Sequence, residues 1–323
     1  MGKTLLEVKN LKKYFPVPAG VLTAVDDVTM QFDEGTTMGI VGESGCGKST
    51  LGRTILRLGE PTAGEIIYQG NNITRVDKKQ LKALRGDLQM IFQDPFSSLN
   101  PRMTVKQSIA EPLKVIENIK DKNEIEKRVK DMMEVVGIAQ RFGNSYPHEL
   151  DGGRRQRIGI ARALVVNPKF IVCDEPVSAL DVSIQAQVIN LLQDLQKEKN
   201  LTYMFITHDL SVVKHISDNI CVMYLGQVIE KCNAKTLFAE KLHPYTSALL
   251  SAIPIPDYYN RKEKILLKGE IKSPVNPKPN CRFSPRCPYV SEQCIAEIPK
   301  LREIKPGHYC ACHKAEQFLK SGI

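Results

Sequence analysis

The stretch Gly42-Glu43-Ser44-Gly45-Cys46-Gly47-Lys48-Ser49-Thr50 constrains this chain more than any other. It fits G-x-x-x-x-G-K-[ST], the pattern of a phosphate-binding loop. The flanks fit as well. Thr37-Met38-Gly39-Ile40-Val41 reads as a short buried strand running into the loop, and Leu51, Ile55 and Leu56 begin an apolar helix face behind it. Glycines let the backbone turn so that successive N–H groups point at phosphate oxygens. The helix that follows presents its positive end to the same anion. Gly42, Ser44, Gly45, Cys46, Gly47 and Thr50 would line the cradle, Lys48 would reach the β- and γ-phosphates, and the Ser49 hydroxyl would ligate Mg²⁺. A chance glycine-rich turn has no reason to sit between a strand and a helix.

A chain of 323 residues, 42% hydrophobic, can bury a sizeable core and form one large or two ordinary domains. It has no apolar run of about 18 residues, the length a membrane span requires. Met1-Gly2-Lys3-Thr4-Leu5-Leu6 is too poor in apolar residues for a signal peptide. The expected place is therefore the cytosol, or the membrane periphery through a partner. The net charge of +9 is spread among acids rather than massed on one element, and only 6% of residues are aromatic, with no Trp. A base-stacking platform for nucleic acid is poorly supported.

Other pieces of an α/β nucleotide site follow in order. Leu5 to Asn10 and Val25 to Phe32 read as strands, with a turn at Pro16 to Gly20 between them. Tyr14 either stacks on a base or fills a strand-end core position. Gly64 to Gly70 reads as a further strand. Leu88-Gln89-Met90-Ile91-Phe92 is a short apolar strand ending at Gln93, where sheet ligands bind; its amide would ligate Mg²⁺ or hold a water. From Thr104 to Ala163 the spacing turns helical, with Val129, Met132, Met133 and Val136 on one face. Phe170 to Cys173 is an apolar strand ending in Asp174 and Glu175, the Walker B pattern. Asp174 would hold Mg²⁺ through water, and Glu175 would act as general base on the attacking water. Asp181 to Lys199 reads as a helix, Leu201 to Thr207 as a strand with His208 at its tip, and two short strands near Ile220 to Tyr224 and Gln227 to Cys232 complete the core.

Gly152-Gly153-Arg154-Arg155-Gln156-Arg157, taken with Gln93, Ser178-Ala179-Leu180-Asp181 and His208, makes the chain resemble the ATPase subunits of ABC transporters. Order and spacing match from Leu5 to about Pro254. The likeness is greatest to oligopeptide and dipeptide importer ATPases, particularly the second subunit of the pair, along Gly42 through Arg53, Gln89 through Val105, Asp174 through Gln187 and His243 through Pro256. The resemblance implies roles. Tyr14 is the adenine-stacking aromatic, Gln93 the glutamine that senses Mg²⁺ and touches the permease, Glu175 the catalytic base and His208 the switch histidine. In this family two ATPase subunits sandwich two nucleotides. Asp151, Gly152, Gly153 and Asp181 would therefore face the partner's ATP.

One departure stands out. The family signature reads Ser-Gly-Gly-Gln, whereas this chain has Asp151-Gly152-Gly153-Arg154. Asp caps a helix as well as Ser does. A carboxylate about 4 Å from a γ-phosphate, however, repels it by roughly 4 kcal/mol per charge pair at an effective dielectric near 20. Arg154 would offset part of that. An unlike partner subunit is expected, because a homodimer would carry two weakened signatures.

Of nine cysteines, Cys281, Cys287, Cys294, Cys310 and Cys312 crowd the C-terminal stretch. In a cytosolic chain this argues for metal over disulfides. The spacing Cys281-x5-Cys287-x6-Cys294-x17-Cys312 is wide for zinc, and four thiolates would satisfy an iron–sulfur cluster. Zinc stays open as the alternative. Peptide-importer ATPases carry a similar tail, and the resemblance implies a [4Fe-4S] cluster there, with Cys312 as fourth ligand and Cys310 a bystander.

The expectation is an α/β, ABC-type P-loop core over residues 1–254, with a mainly parallel sheet, an antiparallel strand layer and a helical subdomain at about 96–163. A small cysteine-rich domain over 255–323 would follow a proline-marked linker at about 254–280. The resemblance implies MgATP hydrolysis driving peptide import at the cytoplasmic face of the membrane. The partners would be a second ATPase subunit, two permease subunits and, indirectly, an external peptide-binding protein. Nickel or sugar import, and a soluble non-transport ABC ATPase, are the alternatives.

Overall fold

The computed structural model describes residues 2–253, 264–267, 269 and 273–321. The strands are β1 (Thr4–Val17), β2 (Gly20–Asp33), β3 (Thr37–Val41), β4 (Ala63–Tyr68), β5 (Asn71–Asn72) and β6 (Leu88–Ile91), then β7 (Phe170–Asp174), β8 (Thr202–Ile206), β9 (Asn219–Tyr224), β10 (Gln227–Asn233), β11 (Arg302–Lys305) and β12 (His308–Cys310). The helices are α1 (Lys48–Ile55), α2 (Lys78–Asp87), α3 (Pro95–Ser98), α4 (Val105–Val115), α5 (Lys122–Val135) and α6 (Gly152–Leu164), then α7 (Val182–Lys199), α8 (Leu210–Ile216), α9 (Ala234–Ala239), α10 (Pro244–Ser251), α11 (Glu292–Ala296) and α12 (Ala315–Ser321). The chain divides into two units, Met1–Leu5 with Phe32–Thr36 and Arg75–Ile206, and Leu6–Gln31 with Thr37–Thr74 and Thr207–Ile323.

The first unit is built on three parallel strands. β6 pairs with β7 from Leu88↔Phe170 to Ile91↔Cys173, and β7 with β8 from Phe170↔Thr202 to Asp174↔Ile206. Every residue of β7 and β8 is buried, so both read as unbroken apolar runs rather than alternating ones. Phe32 meets Phe170 edge-on at 5.0 Å. The helical part follows from local chemistry. Thr104 and Gln107 form a capping box that starts α4, and Asp121 caps α5. Val129, Met132, Met133 and Val136 are buried, as their spacing requires.

The second unit holds two sheets. In one, β3 lies parallel to β9, and β9, β10, β12 and β11 follow as antiparallel neighbours. Leu225 and Gly226, both at positive φ, make the tight turn between β9 and β10. The other sheet runs β2-β1-β4-β5, the antiparallel layer expected from the sequence.

The cysteine-rich stretch is not a separate small domain, and that expectation is corrected here. Its strands β12 and β11 prolong the sheet that carries the phosphate loop, with Cys310 opposite Glu230. A buried polar knot fixes the join. Glu230 accepts the N–H groups of Leu242 (2.7 Å) and His243 (3.1 Å) and lies 2.8 Å from His308 Nε2, with Glu230 and His308 both fully buried. The expected linker lies partly outside the described residues, Pro254 and Pro256 among those not described. Its described part runs along β2: the Thr23 N–H donates to Pro274 O, and Val21 and Asn276 exchange bonds of 2.9 Å.

Candidate functional site

The phosphate loop leaves the buried end of β3 and enters α1. Gly47, the residue before α1, has φ 104° and no side chain to cap the helix, so the first N–H groups of α1 are left to an anion. A Cβ at Gly47 would lie 2.1 Å from Ala24 O, and one at Gly42 (φ 151°) 2.3 Å from Met223 O. No other residue fits either place. Lys48 is 95% buried and its ammonium donates to Gly42 O (2.8 Å) and Glu43 O (3.2 Å), closing the loop around itself. The Gly226 N–H to Cys46 O bond (2.8 Å) anchors the loop to the β9–β10 turn. Cys46 is buried, and burial pushes its thiol pKa up. Ser49 and Thr50 follow Lys48 in the first turn of α1.

In the other unit, β6 and β7 deliver Gln93 and Glu175 from the C-terminal ends of adjacent parallel strands. Gln93 Nε2 donates to Glu175 Oε2 at 2.9 Å. Glu175 sits at φ 46°, a left-handed turn at the end of β7 that is braced by its N–H to Ile206 O, 2.9 Å. Asp174 is 99% buried beneath it. His208 belongs to the phosphate-loop unit, exposed after β8, where Thr207 donates to Ile40 O and the Asp209 N–H to Thr207 Oγ1.

Asp151 is the N-cap of α6 and accepts from the Arg154 N–H at 2.8 Å, as a capping acid should. Its other oxygen pairs with the Arg154 guanidinium, which also stacks on Phe142. The second glycine behind it is tight: a Cβ on Gly153 would come within 2.7 Å of Ile184. Asp181 precedes α7 with an exposed side chain that makes no capping bond.

Tyr14 is half-buried. Its hydroxyl bonds to Asp26, which also receives Arg282 and Gln227. Burial, then that bond, pushes the phenol pKa up. The next residue, Phe15, is exposed, with the Lys13 ammonium 4.7 Å above its ring. The sequence reading passed over Phe15. The alternation of a strand was the signal that could have found it, because neighbours on β1 point to opposite faces.

Beside α4 an open groove of about 370 Å³ is lined by Arg102, Met103, Gln107, Glu111, Lys114 and Val115. Phe96 is 62% exposed, with Arg155 stacked 3.6 Å over it.

Cys281, Cys287, Cys294 and Cys312 line one small cavity together with His313, Tyr289 and Phe318. Burial lifts the Cys281 thiol to about 11 and Cys312 to about 12, with the other cysteines of the cavity adding to both. The Tyr289 N–H approaches Cys287 Sγ at 3.4 Å, and Ser291 Oγ lies 3.3 Å from Cys294 Sγ. Cys310 is buried elsewhere, against Leu242 and Ala315. Among the described residues no three His, Cys, Asp or Glu side chains form a group that could hold a metal ion, and no helix is long and apolar enough to cross a membrane.

Comparison with known proteins agrees with the motifs. The ABC transporter family matches residues 25–178, and the oligopeptide/dipeptide transporter C-terminal region matches residues 229–294. The oligopeptide transport ATP-binding protein AppF of Bacillus subtilis (strain 168) is 50% identical over 321 residues, 96% of this chain and 97% of that protein. OppF of Escherichia coli (strain K12), also an oligopeptide transport ATP-binding protein, is 50% identical over 316 residues, 97% and 94% of the two chains. Among solved structures, the dimeric post-hydrolysis state of the ATP-binding cassette MJ0796 bound to ADP and Pi superposes with a TM-score of 0.65 at 30% identity, over 71% of this chain and 99% of that one. The phosphate loop, the Asp-Glu strand end and full-length likeness at this level agree: the chain belongs to the ABC transporter ATP-binding proteins, in their oligopeptide transport family.

Proposed function

We propose that this chain is the ATP-hydrolysing subunit of a membrane importer of oligopeptides, working at the cytoplasmic face. The observation that carries the reading is the uncapped start of α1 behind a loop closed by Lys48, a cradle for the terminal phosphates of MgATP. By their motif roles, the loop N–H groups and Lys48 would hold the β- and γ-phosphates and Ser49 would ligate Mg²⁺, while in the other unit Gln93 would serve as a Mg²⁺ ligand and Asp174 would act through water. By the same motif roles, Glu175 would take the proton of the attacking water and His208 would contact the γ-phosphate. Gln93 is bonded to Glu175, which suits a residue that reports the state of the site to a partner. Phe15, exposed beside a half-buried Tyr14 whose hydroxyl is bonded to Asp26, is the better placed adenine platform.

Two chains form the working dimer. Gly152, Gly153, Asp151 and Asp181 of one face the nucleotide of the other, and the Asp151–Arg154 pair favours an unlike second subunit. The groove beside α4 receives a short permease helix. Peptide as cargo rests on likeness to the oligopeptide transport proteins.

Cys281, Cys287, Cys294 and Cys312 are the residues that would hold the [4Fe-4S] cluster implied by the resemblance, which would tie the tail to the core, although among the described residues they do not stand as a ready-made metal group. Four thiols line one cavity, the Tyr289 N–H donates to one of them, and their sequence gaps are wide for zinc. Iron and sulfide analysis of anaerobically purified protein tests this; colourless protein with one zinc per chain would end it. For the function as a whole, Lys48→Ala should abolish MgATP binding and peptide-dependent turnover of the assembled transporter, and the chain should co-purify with membrane permeases. Unchanged binding, or co-purification with ribosomes or DNA instead, would overturn the reading.

A further inference from the structure

Glu43 is the second residue of the phosphate loop, and it is an acid in a loop that must receive a polyanion. Its carboxylate is gripped from the far end of the chain. Arg286 Nη1 donates to Glu43 Oε2 at 2.7 Å and Nη2 to Oε1 at 3.1 Å, a two-pronged fork. The Arg286 side chain is 9% exposed and the Glu43 side chain 25%, so water screens the pair only in part. The peptide of Glu43 is fixed as well, since its N–H donates to the Tyr245 hydroxyl at 2.9 Å. Tyr245 stands in a packed aromatic group, 4.7 Å from Tyr224 and 5.6 Å from Phe283, with Tyr224 and Phe283 5.3 Å apart. Arg286 leaves the short turn Ser284–Arg286 directly after Phe283. The loop is therefore held by residues that lie after the ATPase motifs in sequence.

We propose that Arg286 is a positioning residue of the phosphate loop: its guanidinium fixes and neutralises Glu43, so that the loop presents main-chain donors and Lys48 to the triphosphate without an opposing carboxylate. A lysine could supply the charge but not the planar fork. Loss of Arg286 leaves a negative charge in the loop, and the effect grows with the number of phosphates seated there.

The inference rests on the phosphate-loop reading, so Lys48→Ala is the control. Equilibrium binding of MgATP and of AMP to the full chain is measured at low and at moderate salt. Arg286→Gln should weaken MgATP binding about tenfold at low salt and AMP binding little. Adding Glu43→Gln to that variant should restore MgATP affinity to within about twofold of wild type, because the uncompensated charge is gone. Glu43→Gln alone leaves an unpaired guanidinium near the loop and should tighten MgATP binding. If Arg286→Gln binds like wild type while Lys48→Ala does not, this proposal falls and the phosphate loop stands. If the double variant stays as weak as Arg286→Gln, or Glu43→Gln alone weakens binding, the tail acts by packing and the proposal is overturned. If Lys48→Ala binds MgATP normally, both fall together.

Discussion

Tyr14 and Phe15 show how one position along a strand decides a role. β1 sends its neighbours to opposite sides, and Asp26 takes the Tyr14 hydroxyl while Phe15 stays exposed. Phe15→Ala should therefore lose about 1–3 kcal/mol of ATP binding, the worth of one stacked base. Tyr14→Phe should lose little. Fluorescent-nucleotide titration separates them, and the reverse order would return the role to Tyr14. At Glu175, substitution by Gln should cut turnover by about 10²–10⁴-fold with ATP still bound, as for loss of a general base. His243 bears on pH. It is 98% buried, its Nδ1 accepts the Tyr245 N–H, and burial lowers its pKa from about 6.5 to about 3. The unfolded chain then binds a proton that the folded chain refuses. Stability is full above about pH 6.5 and falls toward pH 3, by up to about 1.4 kcal/mol per pH unit. His243→Asn keeps a capping acceptor and should flatten the fall measured by urea unfolding between pH 7 and 5. A slope as steep as that of wild type would exclude His243 as its source. The phosphate loop, Gln93 and the Asp-Glu pair were legible from the sequence because each is a local pattern ending a strand. The choice between Tyr14 and Phe15 was not, since it depends on Asp26 across a hairpin.

The start of α6 is the element where this chain departs from its family. Asp151 caps the helix and binds the Arg154 side chain, so the start of the helix is already satisfied by its own residue. Asp151→Ser with Arg154→Gln should raise ATP turnover of the assembled transporter with little change in stability. No change in turnover would mean the pair is benign. The capping role could be read from the sequence, because Asp before two glycines and a periodic helix is a start signal. The close approach of Gly153 to Ile184 could not, since nothing local announces that α7 passes within a methyl group of the loop.

At the scale of the molecule, the α/β core was legible in the sequence, and so was the buried face Val129, Met132, Met133 and Val136, where the apolar spacing repeats within one helix. The tail was misread as a domain of its own. Strands of four and three residues, Arg302–Lys305 and His308–Cys310, carry too little pattern to betray a partner some 80 residues earlier in the chain. The stretch is instead built into the unit that carries the phosphate loop. Cys287→Ala should lower the melting temperature of metal-replete protein and leave apo protein nearly unchanged, as judged by thermal scans. Equal losses in both would make that cysteine a packing residue only.

β12 and β11 cover what would otherwise be the open margin of β10. A copy truncated before Arg302 would bare a row of unsatisfied amides and carbonyls on β10, ready to recruit the same strand of another copy. Such copies would be lost to self-association, visible as light scattering, before any deficit in ATP chemistry could be measured.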